Sequence, residues 1–276
     1  MPKRFSTARG REFGDGVRAA IARTGLTGRE ICEKIGWDPS KLSDLFHGKG
    51  GCSEVDLAIL LSFCHIAPDE RDHMLQVFRQ MDTKDWWQHH GATHPVLART
   101  WYEHLRKAKE FISWCPLLIP GLLQLPDYMR AVFAATVGVP DDEIEQRVAA
   151  RLGVQEVFRQ RLKCTFFIHE QILFVPVGGA DVLRAQLHHL LQMSVRPYIE
   201  IRIVPIAAGA HAGFAGSFEL MKFHRIEPVV FIECENSDLI IEGKTAVNGY
   251  ANVLTSLDRT ALDAEQSRRR ILELAT

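Results

Sequence analysis

Between Leu26 and Gly48 the chain reads LTGREICEKIGWDPSKLSDLFHG, and its punctuation leaves room for little besides two short helices joined by a turn. Thr27 can accept a backbone N–H at a helix start, and Glu30 stands three residues on, the spacing of a reciprocal capping box. Ile31 and Ile35 repeat at i+4, and Gly36 tolerates the left-handed backbone that stops a helix. Asp38 followed by Pro39 starts a second helix, because the first helical position has no use for the N–H that proline lacks. Leu42, Leu45 and Phe46 give that helix an inward side, leaving Ser40, Lys41, Ser43, Asp44 and His47 outward, with Gly48 closing it. Such a pair is a helix-turn-helix, whose second member lies in the DNA major groove. A plain helical bundle with the same caps fits the pattern equally, so periodicity leaves both readings open.

The flanks complete a five-helix module over residues 1–81. From Arg11, Phe13, Val17 and Ile21 recur at steps of four before Gly25; Val55 to Phe63 and Asp69 to Gln80, the latter opened by Pro68, supply two further helices. Residues 1–51 hold ten Lys/Arg against six Asp/Glu, a balance of +4, whereas the rest holds 23 against 28, a balance of −5. A basic module on an acidic body is one footprint of a nucleic-acid binder.

The stretch LTGREICEKIGWDPSKLSDLFHGKGGCSEVDLAILLSFCHI resembles the Cro/CI-type (XRE) helix-turn-helix family, over roughly residues 11–66. The resemblance implies double-stranded DNA as partner, read mainly from Pro39, Ser40 and Asp44, with help from Gly28. The residues expected at DNA are therefore Thr27, Arg29, Ser40, Lys41, Ser43, Asp44, His47 and Lys49, with Arg29 and Lys49 on phosphates. The chain departs from the family where Asp44 and Phe46 replace the arginine and glutamate usual in the actinobacterial branch. Pro39 and Gly28 offer no side-chain donor, and a carboxylate repels guanine acceptors and phosphates while accepting from cytosine's amino group. Weak or unusual binding by one module is the expectation, offset in a homodimer spanning two half-sites.

At 276 residues the chain has length for two domains. It contains no apolar run approaching the ~20 residues of a membrane span, and MPKRFSTARGREFG lacks the apolar core of a secretion signal, so a cytoplasmic protein with no membrane partner is expected. The six cysteines form no CxxC pair, which argues for free thiols and against zinc. A junction is expected over 82–96, where Trp86, Trp87, Gly91 and Pro95 change the texture; His90 and His94 have helical metal-pair spacing, but Gly91 and Pro95 oppose a helix there, and no metal is expected.

The remaining 97–276 reads as α+β. VLARTWYEHLRKAKEFISW places Leu97, Trp101, Leu105, Ala108 and Ile112 on one helical face; helices also follow Pro126 and the Asp141–Asp142 turn. CTFFIHE, QILFVPV, YIEIRIVPI, GSFELMKF, PVVFIECE and DLIIE have strand texture, with a helix over ADVLRAQLHHLLQM and two more at Thr245–Leu257 and Ala264–Leu274. The fold class expected is mainly α plus α+β, a five-helix helix-turn-helix domain followed by an α+β domain with a mainly antiparallel sheet.

IPGLLQLPDYMRAVF, FFIHEQIL, QLHHLL, IEIRIVPIAAGAHAGFAGSFEL and the serine of LDAEQSRRRI resemble, in order, the C-terminal domain of WhiJ-like actinobacterial regulators. That resemblance implies a transcriptional regulator, often paired with a small partner protein. Catalytic patterns are missing: HEQIL lacks a second histidine, GAHAGFAGSF lacks a phosphate-loop lysine, and no GxSxG occurs, so neither enzyme activity nor a cofactor is expected. Arg159, Glu170, His211 and Glu233 are the residues placed at an effector site for a small molecule or partner protein, against the plainer reading of turns and ion pairs. The competing reading of the whole is a protein-interaction module whose helix-turn-helix no longer binds DNA well.

Overall fold

The computed structural model describes residues 7–79, 86–89, 99–224, 226–235 and 237–276, and the chain divides between Trp86 and Trp87 into two units, each described by itself. The first contains α1 (Ala8–Arg23), α2 (Gly28–Ile35), α3 (Pro39–Phe46), α4 (Glu54–Phe63) and α5 (Pro68–Arg79). Its caps are those the sequence specifies. Thr27 and Glu30 form the reciprocal box, Gly36 stops α2 at φ 71°, and Asp38 accepts from the Ser40 backbone N–H ahead of Pro39. A second box, Ser53 with Asp56, starts α4. Val17, Ile31, Leu45, Leu57, Leu60 and Leu61 form the inaccessible centre of the core.

Helix α1 lies against the end of α3 at a spacing only glycine permits. A Cβ at Gly14 would sit 2.4 Å from the Phe46 carbonyl oxygen, one at Gly10 2.6 Å from that of Gly48, and one at Gly48 2.2 Å from the Gly10 carbonyl carbon. Gly48 also holds φ 63°, in the left-handed region.

From the unit boundary onward the elements run β1 (Trp86–His89), whose first residue still belongs to the first unit, α6 (Arg99–Lys107), β2 (Glu110–Cys115), α7 (Pro126–Ala135), α8 (Ile144–Gln155), β3 (Lys163–His169), α9 (Ala180–Ser194), β4 (Ile199–Val204), β5 (Phe218–Lys222), β6 (Val229–Glu233), β7 (Ser237–Ile241), α10 (Lys244–Thr260) and α11 (Ala264–Ala275). Six strands form one mixed sheet in the order β7-β6-β5-β2-β3-β4, and the short β1 extends it beside β7. β2, β3 and β4 are parallel neighbours, whereas β2–β5, β5–β6 and β6–β7 are antiparallel.

The expectation of a mainly antiparallel sheet is corrected by that parallel half, and the cause is β2. The helical periodicity through Ile112 is accidental: α6 ends at Lys107, and Glu110–Cys115 is a central strand. Phe111, Ile112, Ser113 and Trp114 are all buried, because a strand flanked on both edges and covered on both faces has no solvated side. The helices α7 and α8 then cross over to β3, and α9 crosses to β4, the connections parallel strands need. QILFVPV is likewise not a strand; Glu170–Phe174 forms a 3-10 turn directly after β3.

Ile112, Trp114, Phe218, Leu220 and Val230 pack with Val247, Leu254 and Leu257 of α10 on one face of the sheet. On the other, the His104 ring of α6 meets Phe223 and Phe231 edge-on. The edge strand β4 is closed by the segment entering α11: Ser267 Oγ accepts the Ile203 N–H at 2.9 Å, and Leu262 donates to the Ile203 carbonyl at 2.8 Å. The six cysteines are free thiols. Of the junction expected over 82–96, only the backbone of 86–89 belongs to the described residues, and His90 and His94 lie outside them.

Gly48→Ala is expected to destabilise the first unit by more than about 3 kcal/mol, combining left-handed strain with a backbone clash. Gly36→Ala, at φ 71° but facing open space, should cost about 1 kcal/mol. Amide hydrogen exchange over α1–α3 in the full chain distinguishes the two.

Candidate nucleic-acid interface

Helix α3 advances about 100° per residue, so Ser40, Ser43, Asp44 and His47 share one side. Ser40, Ser43 and His47 are exposed and Asp44 is half-buried, its carboxyl group beside Gly51. The Asp38 carboxyl group is held below the usual range by hydrogen bonds from Ser40. At the other end Arg18 of α1 donates to the Phe46 carbonyl at 2.7 Å, lies 5.3 Å from that ring's centre, and pairs with Asp15 at 2.7 Å. A cation at a helix C-terminus satisfies an orphan carbonyl and opposes the helix dipole. Nothing in the spacing of α1 announces that role, because the partner is distant in sequence.

The predicted contact residues separate into two groups. Lys41 is withdrawn: its ammonium lies 2.9 Å from Asp56 and 4.4 Å from the centre of the Trp37 ring. Asp56 is driven down to about 2 by hydrogen bonds from Lys41 and Ser53. The Thr27 hydroxyl is committed to Glu30, donating at 2.7 Å to the carboxylate. Arg29 is 85% exposed and pairs with Glu33 at 3.2 Å across one helical turn, a contact that a phosphate can replace. Lys49 is exposed in the loop beyond α3.

Beside this face runs an apolar groove of about 470 Å³ between α2 and α3, lined by Gly28, Arg29, Cys32, Pro39, Leu42, Ser43 and Phe46. The arrangement offers hydroxyls, one carboxylate and one imidazole to base edges, and an apolar recess of the kind a thymine methyl contacts.

The predicted effector residues do not form one cluster. Glu170 is buried and bound on both oxygens, by Arg270 at 2.5 Å and the Ile206 backbone N–H at 2.7 Å. Burial raises its pKa, yet these two donors together hold it below the usual carboxylate range. It ties the turn after β3 to α11 and to the segment after β4. His211 lies nearby: its ring is 5.5 Å from that of His169, 5.3 Å from Trp114 and 4.4 Å from Phe214. Its Nδ1 accepts from the Gly213 N–H at 3.1 Å, and that of His169 accepts from Gln171 at 3.3 Å, so both neutral rings carry their proton on Nε2. Burial lowers both imidazoles, and the His169 charge further lowers His211. This pair stands at the carboxyl ends of the parallel strands, where open α/β sheets bind ligands. Arg159 is exposed and pairs with Glu156 at 2.6 Å. Glu233 ends β6 on the opposite sheet face, in line with Phe231 and, across the pairing, Glu219.

Glu219 is the titratable residue that sequence reasoning missed. Burial pushes its carboxyl up to about 8; nearby Glu233 and Asp238 reinforce the shift, while the Trp101 indole N–H and Arg151 oppose it. Arg151 donates to Gln124 at 3.0 Å and lies 4.5 Å from the centre of the Phe133 ring. The signal was present: in GSFELMKF, alternation places the glutamate on the same side as Met221.

Among the described residues no group of three or more His, Cys, Asp or Glu side chains is placed to hold a metal, and no helix is long and apolar enough to cross a membrane. Residues 98–273 match a family model described as a domain of unknown function (DUF5753), and residues 12–74 match one described as a helix-turn-helix domain. No curated protein matches the chain.

A group whose folded pKa exceeds its unfolded value stabilises the fold below the unfolded pKa and loses that contribution as pH rises. With Glu219 at about 8, the second unit should therefore lose stability between about pH 4.5 and pH 8. Thermal melts of Glu219→Gln across that window should show a flatter dependence than the wild type; parallel curves would remove Glu219 as the cause.

Proposed function

The chain belongs to the DUF5753 family, and from that premise, with the helix-turn-helix match beside it, we propose that it is a transcriptional regulator of the WhiJ-like actinobacterial kind. Residues 1–81 bind double-stranded DNA, and residues 97–276 sense a small-molecule effector or small partner protein. The observation that carries the reading is the outer side of α3, where Ser40, Ser43 and His47 are exposed beside half-buried Asp44, with Lys49 exposed in the loop beyond. A homodimer on two half-sites supplies the affinity that one sparsely cationic module lacks. The His169–His211 edge is the part of the larger unit best suited to an effector, since its apolar and imidazole groups gather at the ends of parallel strands. An effector acts by binding one arrangement of the dimer more tightly than another, and shifts operator affinity by that difference. Such a regulator works in the cytoplasm without a metal, cofactor or catalytic step.

A second reading has its own support. The Lys41–Asp56 pair removes a cation from the reading helix, which favours a protein-interaction module with little DNA affinity. Selection of bound genomic fragments by the full chain at physiological salt separates the two. A defined operator bound far more tightly than random DNA supports the regulator; uniform weak binding supports the interaction module. Repeating the selection with metabolite extracts and co-purified partners tests sensing, and an operator affinity that no addition alters removes the sensing role.

Lys49→Ala is expected to weaken binding of all sequences alike and to reduce the salt slope by about one unit. Lys41→Ala should leave that slope unchanged, because its charge is already spent on Asp56. Equal slopes for Lys49→Ala and the wild type would take Lys49 out of the interface.

A further inference from the structure

The acidic side chains around the reading helix are, with one exception, in use. Glu30 closes the α2 capping box, Glu33 pairs with Arg29, Asp38 caps α3, Glu54 pairs with Arg79, and Asp56 holds Lys41. The Asp44 carboxylate, alone among the acidic side chains of α2, α3 and α4, has no hydrogen bond or ion pair within the described residues; only the residue's backbone carbonyl is engaged, by the Lys49 N–H at 2.9 Å. It lies on the side of α3 that carries Ser40, Ser43 and His47, and an ionised carboxylate is purely an acceptor.

His47 presents an acceptor too, and the structure fixes which atom. Its Nδ1 lies 2.6 Å from the Ser43 carbonyl oxygen, which has no proton to give, so Nδ1 must be the donor. In the neutral ring that leaves Nε2 as a bare acceptor. Ser40 and Ser43 hydroxyls can donate or accept and impose no bias. Lys41, the long donor on this helix, is held by Asp56 and Trp37. The side of α3 offered to base edges is therefore rich in acceptors and poor in obligate donors.

In the major groove guanine shows acceptors at N7 and O6 and thymine an acceptor at O4, whereas cytosine N4 and adenine N6 carry amino donors. We propose that the α3 surface selects amino-bearing base edges, cytosine or adenine, through the Asp44 carboxylate and His47 Nε2, and rejects guanine where arginine-bearing readers select it. The inference rests on the DNA-binding reading above and specifies which base chemistry that site takes. Discrimination by acceptors also accounts for a withdrawn lysine: a mobile ammonium at residue 41 would pair with Asp44 or seek guanine, and its contact with Asp56 prevents both.

The test is in vitro selection from a randomised duplex library by the full-length chain, alongside Asp44→Ala, Asp44→Arg and His47→Ala. Neither side chain supports the core, and circular dichroism confirms that each variant is folded. Cytosine or adenine should dominate the positions under α3 in each half-site. Asp44→Ala should lower discrimination against guanine at one position by about tenfold, and His47→Ala at a neighbouring one. Asp44→Arg should convert the Asp44 position to guanine, the base that arginine reads bidentately. Guanine at these positions in the wild-type selection, or a motif that neither alanine variant changes, overturns the inference while leaving DNA binding intact. The absence of any selected sequence for the wild type overturns both, and most pointedly if Asp44→Arg alone selects one.

Discussion

The first unit depends on a backbone-to-backbone approach. Helix α1 comes close enough to the end of α3 that Cβ atoms at Gly10, Gly14 or Gly48 would overlap main-chain atoms. Dispersion falls steeply with distance, so contact at that range is rigid, and no side chain can repack to relieve it. Arg18 then fastens the α3 terminus by its Phe46 carbonyl. With one end of α3 clamped and the other capped by Asp38, the outward side is presented at a fixed angle to the core. A reading helix needs that fixity, because base edges discriminate only when donor and acceptor positions are held.

Restraint of charge is the second theme of this unit. Six Asp and Glu side chains near α3 are bound to caps or cations, with Asp15 on Arg18 completing the set. Salt-bridged surface acids contribute little stability, but pairing them keeps their charge from opposing phosphate. The cost is a reduced supply of free cations. The outer side of α3 is consequently sparse in free cations, since Lys41 is paired with Asp56.

The larger unit is organised by β2. With parallel neighbours on one side and antiparallel on the other, this strand makes the sheet mixed and creates an edge where the parallel carboxyl ends meet. His169, His211 and Trp114 gather there, while Glu219 lies on the face away from α10. The α6–β2 boundary was illegible because Leu105, Ala108 and Ile112 keep a helical spacing by coincidence, and a fully buried strand lacks the alternation that would contradict it. Once β2 is missed, the parallel half of the sheet goes with it. The strands from Ile199 onward were legible because β4 alternates buried and half-exposed residues as YIEIRIV implies.

What the sequence by itself determined is local: caps and stops at Thr27, Gly36, Asp38 and Pro39, and hence the helix-turn-helix outline. These depend on atoms within four residues of one another, so composition and spacing carry them. What only the tertiary structure decided is which partner each polar side chain takes. Lys41 turns to Asp56 on another helix, Arg18 reaches a carbonyl 28 residues away, and Glu170 binds an arginine 100 residues away. Glu170 braces the turn after β3 through Arg270 and the Ile206 N–H, and Lys41 is ion-paired with Asp56, partners that no local pattern announces. The reason is physical: long-range electrostatic partners are set by the path of the chain through space and by the water it excludes, neither of which is written in any short segment.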